Sequence, residues 1–414
     1  MDVMLNRVAA MPVRRVFAHL FFLFLVCPIL NPALGGETRY SATTVYLYCL
    51  FPLLDWKFLR LQLTHVNGPV AAGLLSLLAA VATADMAVAV RMMALGLCFA
   101  YLGFLYREGE LPLLGAYTLA SAAVAVVQFA LAMLGSPLQE YLYPDRIAGM
   151  LWGDAAILAR PSFDDGVLFP VRVAGLSREP SFFNLQVVAT LFIHAFVTRI
   201  FFRPWGLTLV VAIAFLSFSK ITLIVVIGGG FVILGRRFLD RVPVYAAFLL
   251  WLVAGAAATS VLYDQLGGPY AVAQGELGET VLHRTIGYHL ITELKGSELV
   301  LGLGRGEILG EIGRFPYIDL VFGADKVASL VLAGSGAAQS VIEYGLISTL
   351  VQLACVSWFG LGSAGLILYL VFGLTMNPLV VTSHSVIVGF LAFALRTRRS
   401  GNPARLCRMS HDIR

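Results

Sequence analysis

The sequence predicts an all-α, polytopic integral membrane protein with about twelve transmembrane helices. Of its 414 residues, 59% are hydrophobic and only 13% are charged, and its mean hydropathy is +0.85. These values exclude an ordinary soluble domain. Apolar runs of about 16 to 22 residues recur along the chain, and each is long enough to cross a bilayer core as a helix. The alternating pattern that is typical of a membrane β-barrel is absent from these runs.

The apolar runs define the predicted spans. The run from Val16 to Leu34 follows Arg14 and Arg15 and is interpreted as an uncleaved first span, with a cleaved signal peptide as the alternative. We expect one transmembrane domain over residues 1–414. Its further spans are predicted at residues 41–55, 67–84, 86–106, 111–135, 181–202, 205–218, 220–235, 243–262, 338–358, 361–376 and 378–395.

Short basic clusters predict the orientation of these spans. Lys and Arg are enriched in cytoplasmic loops of membrane proteins. With a cytoplasmic N-terminus, all the short basic clusters fall on the cytoplasmic side, including the tail at 396–414. Both termini are then cytoplasmic, and two long segments, about 136–180 and 263–336, lie outside. The net charge of +5 therefore indicates topology, and no nucleic-acid partner is expected.

The first outer segment ends in a charged run at the mouth of the sixth span, between Arg172 and Ser181. Arg178 and Glu179 precede Pro180, which is typical of the first turn of a helix. A carboxylate is favoured at that helix end. Glu179 is therefore either a helix cap or salt-bridge partner, or a carboxylate that binds or deprotonates a substrate hydroxyl.

The second outer segment contains a helical pattern and a glycine-rich turn. Residues 281–294 have the apolar spacing of an amphipathic helix, which carries Arg284 and His289. Gly302 and Gly304 precede Arg305, and glycines around an arginine resemble an anion-binding loop.

Lys220 and Glu343 are ionisable residues within apolar stretches. Lys220 interrupts the region 205–235, which predicts two helices that turn at 217–220 near the outer face. Lys220 either extends to the headgroups or contacts an anion in a polar cavity. Glu343, in the tenth span, is either structural or part of a polar cavity.

Four arginines in the two outer segments predict an anionic substrate: Arg172, Arg178, Arg284 and Arg305. Arginine makes forked hydrogen bonds to phosphate and stays charged. A lipid-linked diphosphate fits such a cavity, because fixed cations stabilise the charge that develops on a leaving diphosphate. No carboxylate cluster demands a metal, so metal-independent chemistry without a cofactor is predicted. The five cysteines are scattered and indicate neither a disulfide framework nor a zinc site.

The run Arg172-x-x-Gly175-Leu-x-x-Glu179-Pro180-Ser181 resembles the signature of O-antigen and exopolysaccharide polymerases of the Wzy type. Three further stretches resemble parts of that family: the turn at Ser217-Phe-Ser-Lys220, the pattern from Arg284 to Leu301-Gly-Leu-Gly304, and Glu343-Tyr-Gly345 after Ser335. The similarity covers most of residues 170–360. The strict arginine–glycine spacing of some members is absent at Arg172 and at Arg284.

The resemblance implies a GT-C-like glycosyltransferase of the bacterial inner membrane that joins undecaprenyl-diphosphate-linked oligosaccharides at the periplasmic face. It implies catalytic roles for Arg172, Glu179 and Arg284, and we expect Arg178, Lys220, His289 and Arg305 to bind the substrate. Membrane lipid and the lipid-linked oligosaccharide are the expected partners, and the family usually works beside a chain-length-determining co-polymerase.

Two other functions are alternatives: an O-antigen ligase and a flippase for a lipid-linked sugar. The related O-antigen ligases use a histidine near the end of the large loop, whereas this chain has none between His289 and His384. This favours a polymerase, although His289 would serve if the loop folds differently. A flippase for a lipid-linked sugar should instead have its charges within the spans.

Overall fold

The computed structural model of the chain describes eleven stretches and is all-α apart from one two-residue ladder. The ladder pairs β1 (Ala33–Leu34) with β2 (Thr43–Thr44) in antiparallel fashion. The described residues are 13–34, 43–64, 67–153, 173–177, 180–198, 202–217, 220–274, 278–304, 337–358, 362–372 and 383–399.

The helices run in chain order as follows. The first are α1 (Val13–Val26), α2 (Phe51–Leu54), α3 (Trp56–Thr64), α4 (Asn67–Thr83), α5 (Met86–Arg107), α6 (Pro112–Met133), α7 (Pro144–Trp152), α8 (Pro180–Phe196) and α9 (Pro204–Leu216). The next are α10 (Lys220–Leu239), α11 (Val244–Gln265), α12 (Pro269–Gln274), α13 (Gly278–Glu293), α14 (Gly296–Leu301), α15 (Ala337–Trp358), α16 (Ser363–Phe372) and α17 (Ser383–Arg399).

Several of these helices are apolar enough to lie in a membrane. Among the described residues, four are also long enough to cross it: α5, α6, the Thr222–Leu239 part of α10, and α11. Shorter apolar helices of 10–17 residues coincide with five other predicted spans. A helix of 13 residues, the length of α9, extends only about 20 Å, whereas a bilayer core is about 30 Å thick.

The predicted span at 41–55 is wrong as a continuous helix. From Thr43 onward the chain forms β2, a 3-10 turn at Leu47–Cys49 and the single helical turn α2. The buried Asn31 holds this irregular path, because its Oδ1 accepts the Leu47 N–H at 2.8 Å. Asp55 then starts α3, since its Oδ1 accepts the backbone N–H of Phe58 at 3.2 Å.

The predicted break at 217–220 is confirmed. α9 ends at Leu216 and α10 begins at Lys220, so Lys220 occupies a helix start. The helix predicted at 281–294 is also confirmed as α13 (Gly278–Glu293), and Ile286 and Leu290 of its apolar stripe are fully buried.

The chain divides into two compact units. Unit 1 comprises Met1–Val70, Leu97–Val226 and Thr382–Arg414. Within it α8 packs against α17, and α1 packs against α6. Gly389 lies so close to the Phe99 ring that a Cβ at this position would overlap it. Small residues allow such close approach between membrane helices.

Unit 2 comprises Ala71–Gly96 and Ile227–Val381. Within it α11 contacts α13, α15 and α16, and α14 packs against α15. Its core includes Phe248, Leu252, Tyr288, Val341 and Leu366.

Candidate functional site

The centre of the Arg172–Ser181 run is a buried, irregular segment in unit 1. This motif segment (residues 173–177) is held by the side chain of Gln128 on α6. Gln128 Oε1 accepts the N–H groups of Ala174 at 3.2 Å and Gly175 at 2.9 Å. Its Nε2 donates to the carbonyl of Gly175 at 2.9 Å. Buried backbone N–H and C=O groups need hydrogen-bond partners. In this irregular segment the Gln128 side-chain amide supplies them, in place of a helix or a sheet.

Gly175 is required by the conformation and the space at the motif segment. Its φ is +54°, a region that favours glycine. An added Cβ would lie 2.7 Å from Ser121 Oγ, 2.8 Å from the Ser121 carbonyl and 2.8 Å from the Phe183 ring. The same Ser121 hydroxyl accepts the Leu176 N–H at 3.0 Å. Ser121 and Gln128 are seven residues apart and so share one face of α6.

α8 begins at Pro180, as the sequence predicted, and it carries a buried amide one turn later. Asn184 is fully buried, and its Nδ2 donates to the Ala214 carbonyl at 2.7 Å and to Ser217 Oγ at 2.8 Å. Its Oδ1 accepts the Thr222 hydroxyl at 2.8 Å. Asn184 thus joins α8 to the end of α9 and to the first turn of α10.

The predicted site residues are distributed over both units. Lys220 is the first residue of α10 in unit 1, and Arg284 and His289 lie on α13 in unit 2. Four of the predicted residues lie outside the described residues: Arg172, Arg178, Glu179 and Arg305.

α13 is fixed to α11 by an aromatic contact. The Tyr288 ring covers Gly255, where a Cβ would lie 2.5 Å from Tyr288 Cδ1. The indole N–H of Trp251 donates to the Tyr288 hydroxyl at 2.8 Å. Burial raises the pKa of Tyr288 to about 12, although the hydrogen bond from Trp251 opposes part of that rise. The phenol therefore stays neutral at physiological pH.

Gly255→Ala is expected to loosen the attachment of α13. The new methyl group would overlap the Tyr288 ring, which is buried and hydrogen-bonded and so cannot move freely. Overpacking of this kind costs about 1–3 kcal/mol, which a lower unfolding temperature of the detergent-solubilised protein would show. Gly230→Ala is the control, because a Cβ at Gly230 meets nothing within 4 Å. Equal unfolding temperatures for the two variants would contradict the contact.

His289 belongs to a polar cluster between α13 and the end of α11. Its Nε2 lies 2.9 Å from Glu293 Oε1, and its ring centroid lies 4.8 Å from that of Tyr263. The Tyr263 hydroxyl shares a 2.8 Å hydrogen bond with Thr285 Oγ1. These contacts order the imidazole within unit 2, and substrate binding by His289 stays a prediction.

α15 is broken at Gly345, where the glycine-rich turn after α14 docks. Gly345 has φ 78° and ψ 165° inside the helix. The break leaves two carbonyls without their helical donors. The Leu303 N–H donates to the Ile342 carbonyl at 2.8 Å, and the Gly304 N–H donates to the Glu343 carbonyl at 3.0 Å. The turn therefore supplies the hydrogen bonds that the broken helix lacks.

Side chains beside the break are also paired. Glu343 is buried, and its Oε1 accepts Gln339 Nε2 at 2.8 Å. The Tyr344 hydroxyl donates to Asp85 Oδ2 at 3.2 Å. Of the two interpretations of Glu343, this arrangement supports the structural one.

The sequence analysis did not single out Gln128 or Asn184. It named Gly345 but did not predict that the helix breaks there. Amides within apolar spans were the available signal for Gln128 and Asn184, since such groups hydrogen-bond between helices.

No group of three or more His, Cys, Asp or Glu side chains in the described stretches is arranged to hold a metal ion. The chain matches no protein-family model, no curated protein and no solved structure.

Proposed function

We propose that this chain is a bacterial polysaccharide polymerase of the inner membrane with about twelve spans and a GT-C-like fold. It joins undecaprenyl-diphosphate-linked oligosaccharide units at the periplasmic face. The growing chain is transferred from its lipid diphosphate to a hydroxyl of the next unit, and the lipid diphosphate leaves.

The observation that carries the proposal is the construction of the motif segment. Most of its positions are buried, and Gln128 and Ser121 hold its backbone. The charged positions Arg172, Arg178 and Glu179 flank it in sequence. A segment with a fixed backbone is a suitable base for groups that must be aligned with reacting atoms.

Each charged residue has a role in the proposed transfer. Arg172 and Arg284 bind the diphosphate and stabilise the charge that it gains as the glycosidic bond breaks. Glu179 orients the accepting hydroxyl and takes its proton. Arg178, Lys220, His289 and Arg305 contact the substrate. These roles need no metal or cofactor, and a chain-length-determining co-polymerase is the proposed protein partner.

The proposal is tested by deleting the gene in the native host and sizing the extracted lipid-linked glycans. Single repeat units on undecaprenyl diphosphate, with no polymer, are the expected result. Full-length polymer that remains on lipid would instead identify a ligase. Repeat units that resist external glycosidase in intact spheroplasts lie on the cytoplasmic face, and they would identify a flippase.

Arg172→Ala and Arg284→Ala are each expected to lower polymer formation by about a hundredfold or more, because each removes a fixed cation from the leaving diphosphate. Arg→Lys should fail as well, since lysine cannot make the forked contact. Quantified polymer in complemented deletion strains, normalised to protein in the membrane, measures the effect. Arg146→Ala is the control, because Arg146 is an exposed outer-segment arginine on α7. Wild-type polymer in Arg172→Ala or Arg284→Ala would refute the diphosphate role of that arginine.

A further inference from the structure

Asn184 connects the start of α8, the end of α9 and the start of α10. The proposed site residues Glu179 and Lys220 lie at or directly before two of these helix ends in the sequence. α8 begins directly after Glu179, and Asn184 lies in the first turns of that helix. Its side chain reaches the last turn of α9 through Ala214 and Ser217, and the first turn of α10 through Thr222. Thr222 is two residues from Lys220, which starts α10.

Both the Nδ2 and the Oδ1 of the Asn184 amide have hydrogen-bond partners. Asn184 is 0% exposed and Thr222 is 3% exposed, so neither polar group has water as a substitute. Asn184 Nδ2 uses both of its donors, one on a backbone carbonyl and one on a hydroxyl. Loss of any one partner leaves a buried polar group unpaired, which is far more costly than the loss of an exposed hydrogen bond.

The Asn184 amide acts at a boundary between two helices, since α9 ends at Leu216 and α10 starts at Lys220. The Asn184–Thr222 bond is a side-chain connection between α8 and the first turn of α10. The first turn of α10 is thereby held in place relative to α8.

We infer that Asn184 is a positioning residue, which aligns Lys220 with the start of α8 so that both act on the same anionic substrate. This inference rests on the proposed polymerase function and goes beyond it, because it assigns the alignment of the Lys220 cation to an uncharged, buried side chain.

The sharpest test removes the bond between Asn184 and α10. Thr222→Val keeps the size of the side chain but loses the hydroxyl that donates to Asn184 Oδ1. The expected result is a polymerisation rate about tenfold lower, and Asn184→Ala, which removes all three bonds, should lower it about a hundredfold. Thr222→Ser should restore most of the rate. The rates are measured in membranes that contain the full-length protein and lipid-linked repeat units.

Thr190→Val is the matched control. Thr190 is equally buried and lies on α8, but its hydroxyl donates to the Gln186 carbonyl within the same helix. It should leave the rate within about twofold of wild type, since such an intrahelical bond holds no other element. A fall in Thr190→Val as large as that in Thr222→Val would overturn the inference in favour of general packing.

A positioning role also predicts non-additivity. If Asn184 acts through Lys220, Thr222→Val should cause no further loss in a Lys220→Ala background, because the group that it aligns is already absent. A further loss of equal size in that background would overturn the inference.

A cysteine-labelling measurement, which does not depend on enzymatic activity, separates this inference from the proposed function. The alkylation rate of Lys220→Cys by a maleimide should change several-fold, about threefold or more, when Asn184→Ala is added, because a local opening exposes the helix start. Thr190→Val should leave it unchanged. An unchanged rate in Asn184→Ala would overturn the inference even if the chain polymerises glycans. A changed rate in a chain whose deletion causes no glycan defect would uphold the alignment and refute the polymerase.

Discussion

Gly345→Ala and Gly302→Ala should each destroy the docking of the glycine-rich turn on α15. Gly345 has φ 78° and ψ 165°, and Gly302 has φ 83° and ψ 167°. Only glycine adopts this region readily, and other residues there cost about 1–3 kcal/mol. The two backbones also touch. A Cβ on Gly302 would lie 2.5 Å from the Gly345 nitrogen and 2.6 Å from the Glu343 carbonyl oxygen.

The contact between Gly302 and Gly345 explains why the expected effect is large. The atoms that a methyl group would meet are backbone atoms, which cannot rotate away as a side chain can. If the turn at Gly302 moved away from α15, the hydrogen bonds from Leu303 and Gly304 to the carbonyls of α15 would break. We expect a loss of more than about 4 kcal/mol in the free energy of unfolding, seen as little folded protein in detergent by size-exclusion chromatography.

Gly153→Ala is the control for this pair of substitutions. Gly153 has φ 82° and ψ 177° at the end of α7, and a Cβ there meets nothing within 4 Å. Gly153→Ala should therefore have the free-energy cost of the unfavourable backbone conformation, but its new methyl group overlaps no backbone atoms. If Gly302→Ala and Gly345→Ala destabilise the protein no more than Gly153→Ala does, the close backbone contact is refuted.

Gly175→Ala is expected to destabilise unit 1 and, on the proposed function, to stop polymer formation. A left-handed conformation at a residue with a Cβ costs about 1–2 kcal/mol, and the Cβ would also press on the Ser121 carbonyl at 2.8 Å. The motif segment would then lose its bonds to Gln128, next in sequence to the proposed site residues Arg172, Arg178 and Glu179. Polymer yield in the complemented deletion strain and the unfolding temperature in detergent both measure the effect.

Gly135→Ala is the control for Gly175→Ala. Gly135 follows α6 with a φ of 61°, and a Cβ there meets nothing within 4 Å. It should reduce the stability only slightly and leave polymer yield unchanged. Polymer from Gly175→Ala at the level of Gly135→Ala would show that the clamped segment does not matter for the activity.

The local pattern of the sequence predicted those elements that depend on neighbouring residues. Pro180 after a charged pair predicted the start of α8, and the lysine in a serine-rich stretch predicted the break before α10. Spacing of apolar residues predicted α13. In each case the signal lies within a few residues of the feature, so no knowledge of distant contacts was needed.

Features that depend on distant partners were not predictable in the same way. The stretch around Gly345 has no proline and is mostly apolar, so it was predicted as part of one continuous span at 338–358. The break exists because amides from residues 303 and 304 satisfy its carbonyls. The stretch 41–55 was predicted as a span from its apolar residues, but from Thr43 onward Asn31 and Asp55 hold it in short turns. Likewise, Gln128 and Asn184 were visible as amides, whereas their partners lie 14 to 47 residues away.

The broken helix α15 has a consequence for biosynthesis. An unpaired carbonyl in hydrocarbon costs several kcal/mol, on the order of 4–8, so α15 cannot enter a bilayer in its broken form alone. Leu303 and Gly304 precede α15 in the chain, and the ribosome therefore delivers the two donors before the two acceptors. We therefore expect the nascent α15 to form as an unbroken helix, which opens at Gly345 once Leu303 and Gly304 donate their hydrogen bonds to its carbonyls.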